Sequence, residues 1–314
     1  MSAKPALRPV AIETPASAED DPRIGHLLGR SEDRWVSLVG FPSDEGVRRN
    51  GGRPGAAAGP AEIRRWLFRM TPDASSTRFA RLIEHAHDLG DVGVTGELEA
   101  DQDTLGAVVA EELATGRFVV VLGGGHEAGY GHFLGYARRN APIEILNWDA
   151  HADVRPLVDG RAHSGSPFRQ AREHPSGTCR RYTVAGLQPH SLAAAHRTYV
   201  EESGGQAILR HQVGTGTALA LLDALEHDAM VTFDLDALDQ SLAPGVSAPT
   251  TDGLGLEVWL RAAEEAGRCR RVFSIDVVEL NPEHDRDGQT ARVAALTVWR
   301  FLRGLASRAA IPAR

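Results

Sequence analysis

The 314 residues are 42% hydrophobic, 24% charged and only 6% aromatic, the balance of a globular chain able to bury a sizeable core. A formal net charge of −8 and the absence of any long Lys/Arg run exclude a nucleic-acid footprint and make a small-molecule substrate the expected partner. The two cysteines, Cys179 and Cys269, are too isolated for a disulfide framework or a zinc ribbon, and no apolar stretch reaches transmembrane length, so a cytoplasmic chain with no membrane attachment is expected, with a homo-oligomer left open.

In chain order, Met1–Asp21 is rich in Ala, Pro and acids and has neither the charged nor the apolar region of a signal peptide. Residues 1–30 lack periodicity and read as a flexible N-terminal tail, followed by one catalytic domain over 31–314 with no second linker and no internal repeat. Short apolar runs then recur at Trp35–Phe41, Phe118–Leu122, Ile143–Leu146, Thr183–Gly186, Met230–Phe233 and Val272–Ile275, and read as buried strands. Helical spacing alternates with them at Pro60–Phe68, Thr104–Leu113, Leu192–Glu202, Ala218–Glu226, Leu256–Ala266 and Thr290–Leu305, the first opening on a proline that a first helical turn tolerates. This alternation predicts an α/β fold, a single-domain three-layer α/β/α arrangement around a mainly parallel sheet. Arg155–Thr178 is the least regular interior stretch, the kind of segment that serves substrates.

Three strand ends carry chemistry. Val119-Val-Val-Leu-Gly-Gly-Gly-His-Glu127 runs an apolar strand into three glycines and then His126. In Ile145-Leu-Asn-Trp-Asp-Ala-His-Ala-Asp153, the side chains of Asp149, His151 and Asp153 alternate with small ones, which in extended backbone puts all three on one face. Met230-Val-Thr-Phe-Asp-Leu-Asp-Ala-Leu-Asp239 repeats the device with Asp234 and Asp236. An ordinary surface loop would hold such acids among polar neighbours, whereas here they follow apolar runs, where unpaired carboxylates are costly without a cation. The four aspartates Asp149, Asp153, Asp234 and Asp236 balance two divalent ions if His126 and His151 are neutral, and oxygen-rich ligation favours Mn²⁺ or Mg²⁺ over Zn²⁺ by ligand type. Two such ions activate a water between them.

With these motifs in place, the chain resembles the ureohydrolase family of arginases, agmatinases and formimidoylglutamases, from about Leu38 to Arg292. The resemblance implies an arginase-like fold and two Mn²⁺ per subunit, with His126 and Asp153 on one ion, His151 and Asp236 on the other, and Asp149 and Asp234 bridging. Within the family the chain is similar to the formimidoylglutamase subgroup. It has Gly124-Gly-His-Glu127 where arginases and agmatinases usually read Gly-Gly-Asp-His-Ser. Gly46-Val-Arg-Arg-Asn-Gly-Gly-Arg-Pro-Gly-Ala56, Ser164-Gly-Ser-Pro-Phe-Arg-Gln170, Leu242-Ala-Pro-Gly-Val-Ser-Ala-Pro249, Asp276-Val-Val-Glu-Leu-Asn-Pro282 and Asp287-Gly-Gln-Thr-Ala-Arg292 are similar to that subgroup as well. One residue departs from it: His163 precedes Ser-Gly-Ser-Pro-Phe168, where the subgroup commonly has a non-His residue.

What the subgroup implies is hydrolysis of N-formimidoyl-L-glutamate to L-glutamate and formamide, a step of histidine degradation, by a metal-bridging hydroxide. Asp236 would then manage the proton and Glu279 would pair with the amidinium. His163 is a candidate proton shuttle, since arginases and agmatinases place such a His in a comparable loop. The substrate's two carboxylates call for cations, for which Arg48, Arg49 and Arg155 are the candidates because a guanidinium grips a carboxylate with two parallel bonds. The rival expectations are a hydrolase of a guanidino compound, which needs acids at the far end of the pocket, and a non-catalytic member whose ions only hold strand ends together.

Overall fold

A computed structural model describes residues 7–16 and 20–308. Its strands are β1 (Leu7–Arg8), β2 (Val36–Phe41), β3 (Ala86–Val92), β4 (Phe118–Gly123), β5 (Ile143–Trp148), β6 (Cys179–Leu187), β7 (Gln206–Leu209), β8 (Asp228–Asp234) and β9 (Val272–Val278). They form one sheet in the order β1-β3-β2-β4-β9-β8-β5-β6-β7, parallel except for the β1–β3 pair. The helices are α1 (Ile24–Leu27), α2 (Glu45–Arg49), α3 (Gly59–Leu67), α4 (Thr77–Glu84), α5 (Leu98–Ala114), α6 (Ala128–Ala137), α7 (Pro167–Glu173), α8 (Ala194–Glu202), α9 (Thr217–Asp223), α10 (Leu256–Arg268) and α11 (Gln289–Ala306).

The period of two along each strand divides the core between the two faces of the sheet. Leu38, Val120, Leu122, Val231, Phe233, Ile275 and Val277 pack with Ile63, Leu67, Trp259, Val298 and Phe301 of α3, α10 and α11. Val39, Val119, Val121, Ile145 and Met230 pack with Leu105, Val109, Phe133 and Tyr136 of α5 and α6. Both faces are therefore apolar, which is why the central strands read as unbroken hydrophobic runs. No helix among the described residues is long and apolar enough to cross a membrane.

The six expected strands and six expected helices all form, with ends shifted by a few residues. Further elements had weaker signals. β3 is Ala-His-Asp-Leu-Gly-Asp-Val, too polar to read as a buried run, and its Asp88 and Asp91 receive the fully buried Arg64 of α3. α6 contains Gly129, Gly131 and Gly135, which lower helix propensity, and the last two let it lie close against α5. The irregular stretch Arg155–Thr178 contains α7.

The expected tail is a correction in part. Leu7 and Arg8 pair with Val92 and Asp91, and Ile24 and Leu27 are buried in the core, because the edge of β3 offers unpaired backbone and the α3–α4 side offers apolar surface. Residues 1–6 and 17–19 of that expectation lie outside the described residues.

β8 and β9 lie between β4 and β5, so the order of connection reverses there and a crevice opens outside the carboxyl ends of these four strands.

Arg64 tests how the edge of the sheet is secured. Its Nε and Nη2 donate to the two oxygens of Asp88 at 2.9 Å each, and Nη1 donates to Asp91 at 2.6 Å. Arg64→Met leaves both carboxylates unpaired and should cost about 3–5 kcal/mol in urea unfolding. A loss under about 1 kcal/mol would mean that water replaces the guanidinium freely.

Candidate metal centre

Beyond β4 the chain turns tightly enough that a Cβ on Gly124 would lie 1.9 Å from the Ser43 carbonyl oxygen, so only glycine fits. The turn delivers His126, fully enclosed, with its Nδ1 2.8 Å from Asp234 Oδ2, 3.0 Å from Asp153 Oδ2 and 3.2 Å from Asp149 Oδ2. The other ring nitrogen meets Thr232 Oγ1 at 2.9 Å, which fixes the ring and leaves Nδ1 without a hydrogen bond.

From β5, Asp149 accepts the Asn147 side-chain amide on Oδ2 at 2.9 Å and the His151 backbone N–H on Oδ1 at 2.6 Å. His151 Nδ1 lies 3.0 Å from Asp236 Oδ2 and 3.6 Å from Asp149 Oδ1. Asp153 closes the motif in a left-handed conformation, φ 47°, a cost concentrated at a functional position. From β8, Asp234 Oδ1 accepts the Asp236 N–H at 2.9 Å, while Asp236 Oδ1 is buried without a partner. One set of ligand atoms comes from His126, Asp149, Asp153 and Asp234 and a second from Asp149, His151 and Asp236, the atoms of each set lying within 4.8 Å of one another.

The electrostatics fit this donor set to two cations. Burial pushes the Asp234 and Asp236 carboxyls up, and neighbouring aspartates add to it. Burial works against a charged His126, yet Asp234, Asp149 and Asp153 hold it well above the usual imidazole range; His151 is raised first by Asp236. Without a cation the site must therefore bind protons to balance its acids. Divalent ions would replace those protons, and His126 Nδ1, left without a hydrogen bond, is free to face one of them.

Glu279 follows β9 in a left-handed conformation, φ 69°, with Oε1 accepting the His126 N–H at 2.7 Å and Oε2 buried and unpaired. Burial, then Glu127 and Asp236, push its carboxyl well above the usual range. Glu127, enclosed beside it, is pushed up to about 7 by burial.

A cavity of about 310 Å³ opens over this floor. His126, His151, Asp153, Asp234, Asp236 and Glu279 line it from below, and Asn50, Arg53, Arg155, Ser164 and Ser247 line its sides. Of the three arginines expected for substrate carboxylates, only Arg155 is there, its Nη1 on Asn50 Oδ1 at 2.9 Å. Arg48 is 61% exposed and pairs with Asp44, and Arg49 is spent on Glu45, Glu99 and the Ala162 carbonyl; neither lines the cavity, because both belong to α2, which points them away. The proton-shuttle expectation for His163 is also corrected. Its Nε2 donates to the Pro156 carbonyl at 3.0 Å and its Nδ1 accepts the Gly165 N–H at 3.2 Å, so the buried ring ties its own loop together and does not reach the cavity.

Arg53 takes the place in the wall that Arg48 and Arg49 do not. Its Nε donates to the Ser247 carbonyl at 3.0 Å and Nη2 to that of Val246, while Asn281 Nδ2 donates to the carbonyls of Arg53 and Pro54 at 3.2 and 2.9 Å. The sequence signal was available: Gly51-Gly52 ends α2 and turns the chain back, so the arginine after the glycines faces inward.

Asp149 belongs to both sets, and Asp234 belongs to one and accepts the Asp236 N–H of the other, which yields a test. Asp149→Ala or Asp234→Ala should lose both bound cations and activity together, measured by elemental analysis and turnover. Two tightly held ions in either variant would contradict this geometry.

The sequence model of the arginase family matches residues 34–303. A formimidoylglutamase from Nocardia farcinica is 42% identical over 274 residues, 84% of this chain and 85% of that protein, and one from Salmonella paratyphi B is 36% identical over 95% and 96%. The crystal structure of Trypanosoma cruzi formiminoglutamase with Mn²⁺₂ superposes with a TM-score of 0.84 at 34% identity, covering 92% of this chain and all (100%) of that one. Arginase from Bacillus subtilis superposes with a TM-score of 0.72 at 25% identity, over 86% and 98%. With sequence, fold and acid floor in agreement, the chain belongs to the arginase family, and it is similar over most of its length to members named formimidoylglutamase.

Proposed function

We propose that this chain is a manganese-dependent hydrolase that converts N-formimidoyl-L-glutamate and water to L-glutamate and formamide. The observation that carries the reading is the polarity of the cavity. Its acids, Asp153, Asp234, Asp236 and Glu279, are all in the floor, whereas the charged side chains of its walls are Arg53 and Arg155. An amidinium that carries two carboxylates fits this arrangement, with the amidinium down and the carboxylates at the arginines. A cationic guanidino compound with a basic tail would meet two guanidinium groups instead.

His126, Asp149, Asp153 and Asp234 would hold one Mn²⁺, and Asp149, His151 and Asp236 the other. Bound there, the ion pair supplies the charge that acidifies water and steadies developing charge at the reacting carbon. The chain's own groups do the rest. Glu279 Oε2, buried and unpaired, accepts an amidinium N–H, and the amidinium charge restores that carboxyl to its ionised form. Asp236 Oδ1, likewise unpaired, takes the proton from the attacking water and returns it to the glutamate nitrogen as the C–N bond breaks. Arg53, preorganised by two backbone carbonyls, and Arg155, held by Asn50, orient the glutamate end.

That substrate places the reaction in histidine degradation, and two free cysteines fit a reducing cytoplasm. A small-molecule substrate, with no nucleic acid or membrane involved, completes the reading.

Manganese-loaded protein given formimidoylglutamate, arginine, agmatine and guanidinobutyrate should turn over the first with the highest kcat/KM. Arg53→Ala or Arg155→Ala should raise KM for it by on the order of 10-fold to 1000-fold, as about 1.4–4 kcal/mol of carboxylate binding is lost. Arg48→Ala should stay within about threefold of wild type. Preference for a cationic guanidino compound would overturn the substrate; an equal response from Arg48 and Arg53 would overturn the assignment of the wall.

A further inference from the structure

Glu127 is fully enclosed, follows a metal-facing histidine, and takes no part in the chemistry above. Its Oε1 accepts the Gly46 N–H at 2.8 Å and the Ser43 hydroxyl at 3.3 Å. Its Oε2 is buried without a hydrogen bond. The slot that holds this carboxylate is shaped around it: a Cβ built on Gly46 would lie 2.7 Å from Oε2, and one on Gly125 would lie 2.1 Å from it.

Gly46 sits in α2, which leads through Asn50 to Arg53. Its carbonyl accepts the Ser164 N–H at 3.1 Å, the Ser164 hydroxyl accepts from Asn50 Nδ2 at 3.1 Å, and Asn50 Oδ1 accepts from Arg155 at 2.9 Å. A single hydrogen-bonded path thus runs from the loop that carries His126 to an arginine of the cavity wall, and Glu127 is its first member.

Resting on the substrate reading above, we propose that Glu127 is a positioning residue: by holding Gly46 it sets the distance between the metal floor and the arginine wall, and so decides how well a substrate with carboxylates at that distance is gripped. A carboxylate here cannot touch the substrate, since Glu127 does not line the cavity. Its effect must pass through α2 and the Asn50–Ser164 pair. A displacement of the wall by an ångström weakens ligands that span floor and wall and spares ligands that reach only the floor.

The test uses manganese-loaded Glu127→Ala, Glu127→Gln and Gly46→Ala, with formimidoylglutamate, with a short alkylformamidine lacking carboxylates, and with L-glutamate binding by calorimetry. Glu127→Ala should raise KM for formimidoylglutamate at least tenfold and weaken glutamate binding by a similar factor. It should keep kcat/KM for the short amidine within about threefold and keep its manganese. Glu127→Gln retains an acceptor for Gly46 and should restore KM to within about threefold of wild type. Gly46→Ala keeps the Glu127 carboxylate in the chain but sets a Cβ against it, so α2 and Glu127 can no longer sit together, and it should reproduce the KM rise even if Glu127→Ala fails to fold. Equal losses on both amidines, loss of manganese, or an unchanged KM in Gly46→Ala and Glu127→Ala overturns the role. A wild-type enzyme that does not hydrolyse formimidoylglutamate overturns the substrate reading itself, and this role with it.

Discussion

Carboxylates crowded at the ends of buried strands repel one another and resist losing water, and the rest of this molecule is arranged around that conflict. Asp149, Asp153, Asp234 and Asp236 converge on two histidines at the crevice where β8 and β9 separate β4 from β5. The hydrogen bonds nearby, from Asn147 to Asp149, from the Asp236 N–H to Asp234 and from His126 to Thr232, orient these groups without neutralising them. Protons on the histidines and acids, or cations in their place, balance the charge, and binding cations is coupled to keeping the strand ends together. The left-handed residues Asp153 and Glu279 store backbone strain at the same place, held there by the packed sheet beneath.

Above the floor the sign reverses. Arg53 and Arg155 stand in a wall fastened to backbone carbonyls, to Asn50 and to Asn281, on loops that follow β2, β5 and β9. Acid below and cation above give the cavity a direction, so a ligand with an amidine at one end and carboxylates at the other has one favourable way to sit. Rigid mounting matters here because an arginine already held by two carbonyls loses little freedom on binding.

The floor was legible in the sequence because its residues come in short motifs. Apolar runs before Asp149, His151 and Asp153 and before Asp234 and Asp236 say which end of which strand carries them, but their convergence does not come from extended alternation: β5 ends at Trp148, Asp153 is left-handed and Asp236 lies in a 3-10 turn over Leu235–Ala237. The wall was not legible in the same way. Arg48, Arg49 and Arg53 are close in sequence and chemically alike, and only the direction of α2 and the Gly51-Gly52 turn decides that the third faces inward. His163 looked like a proton carrier because nothing in its local sequence reveals that both ring nitrogens are used by its own loop. β3 and α6 escaped notice for a related reason, since one is polar to receive Arg64 and the other glycine-rich to approach α5. Glu127 stands in the Gly124-Gly-His-Glu127 motif, but nothing local reveals what its carboxylate holds, as its partner Gly46 is far away in the chain.

The central claim is that the buried acids form one site for a pair of ions and not two unrelated clusters. Metal analysis combined with electron paramagnetic resonance of the manganese-loaded wild-type protein tests it most directly. The account predicts two Mn²⁺ per chain with the spectrum of an exchange-coupled pair; one ion per chain, or two ions giving the signals of isolated Mn²⁺, would contradict it.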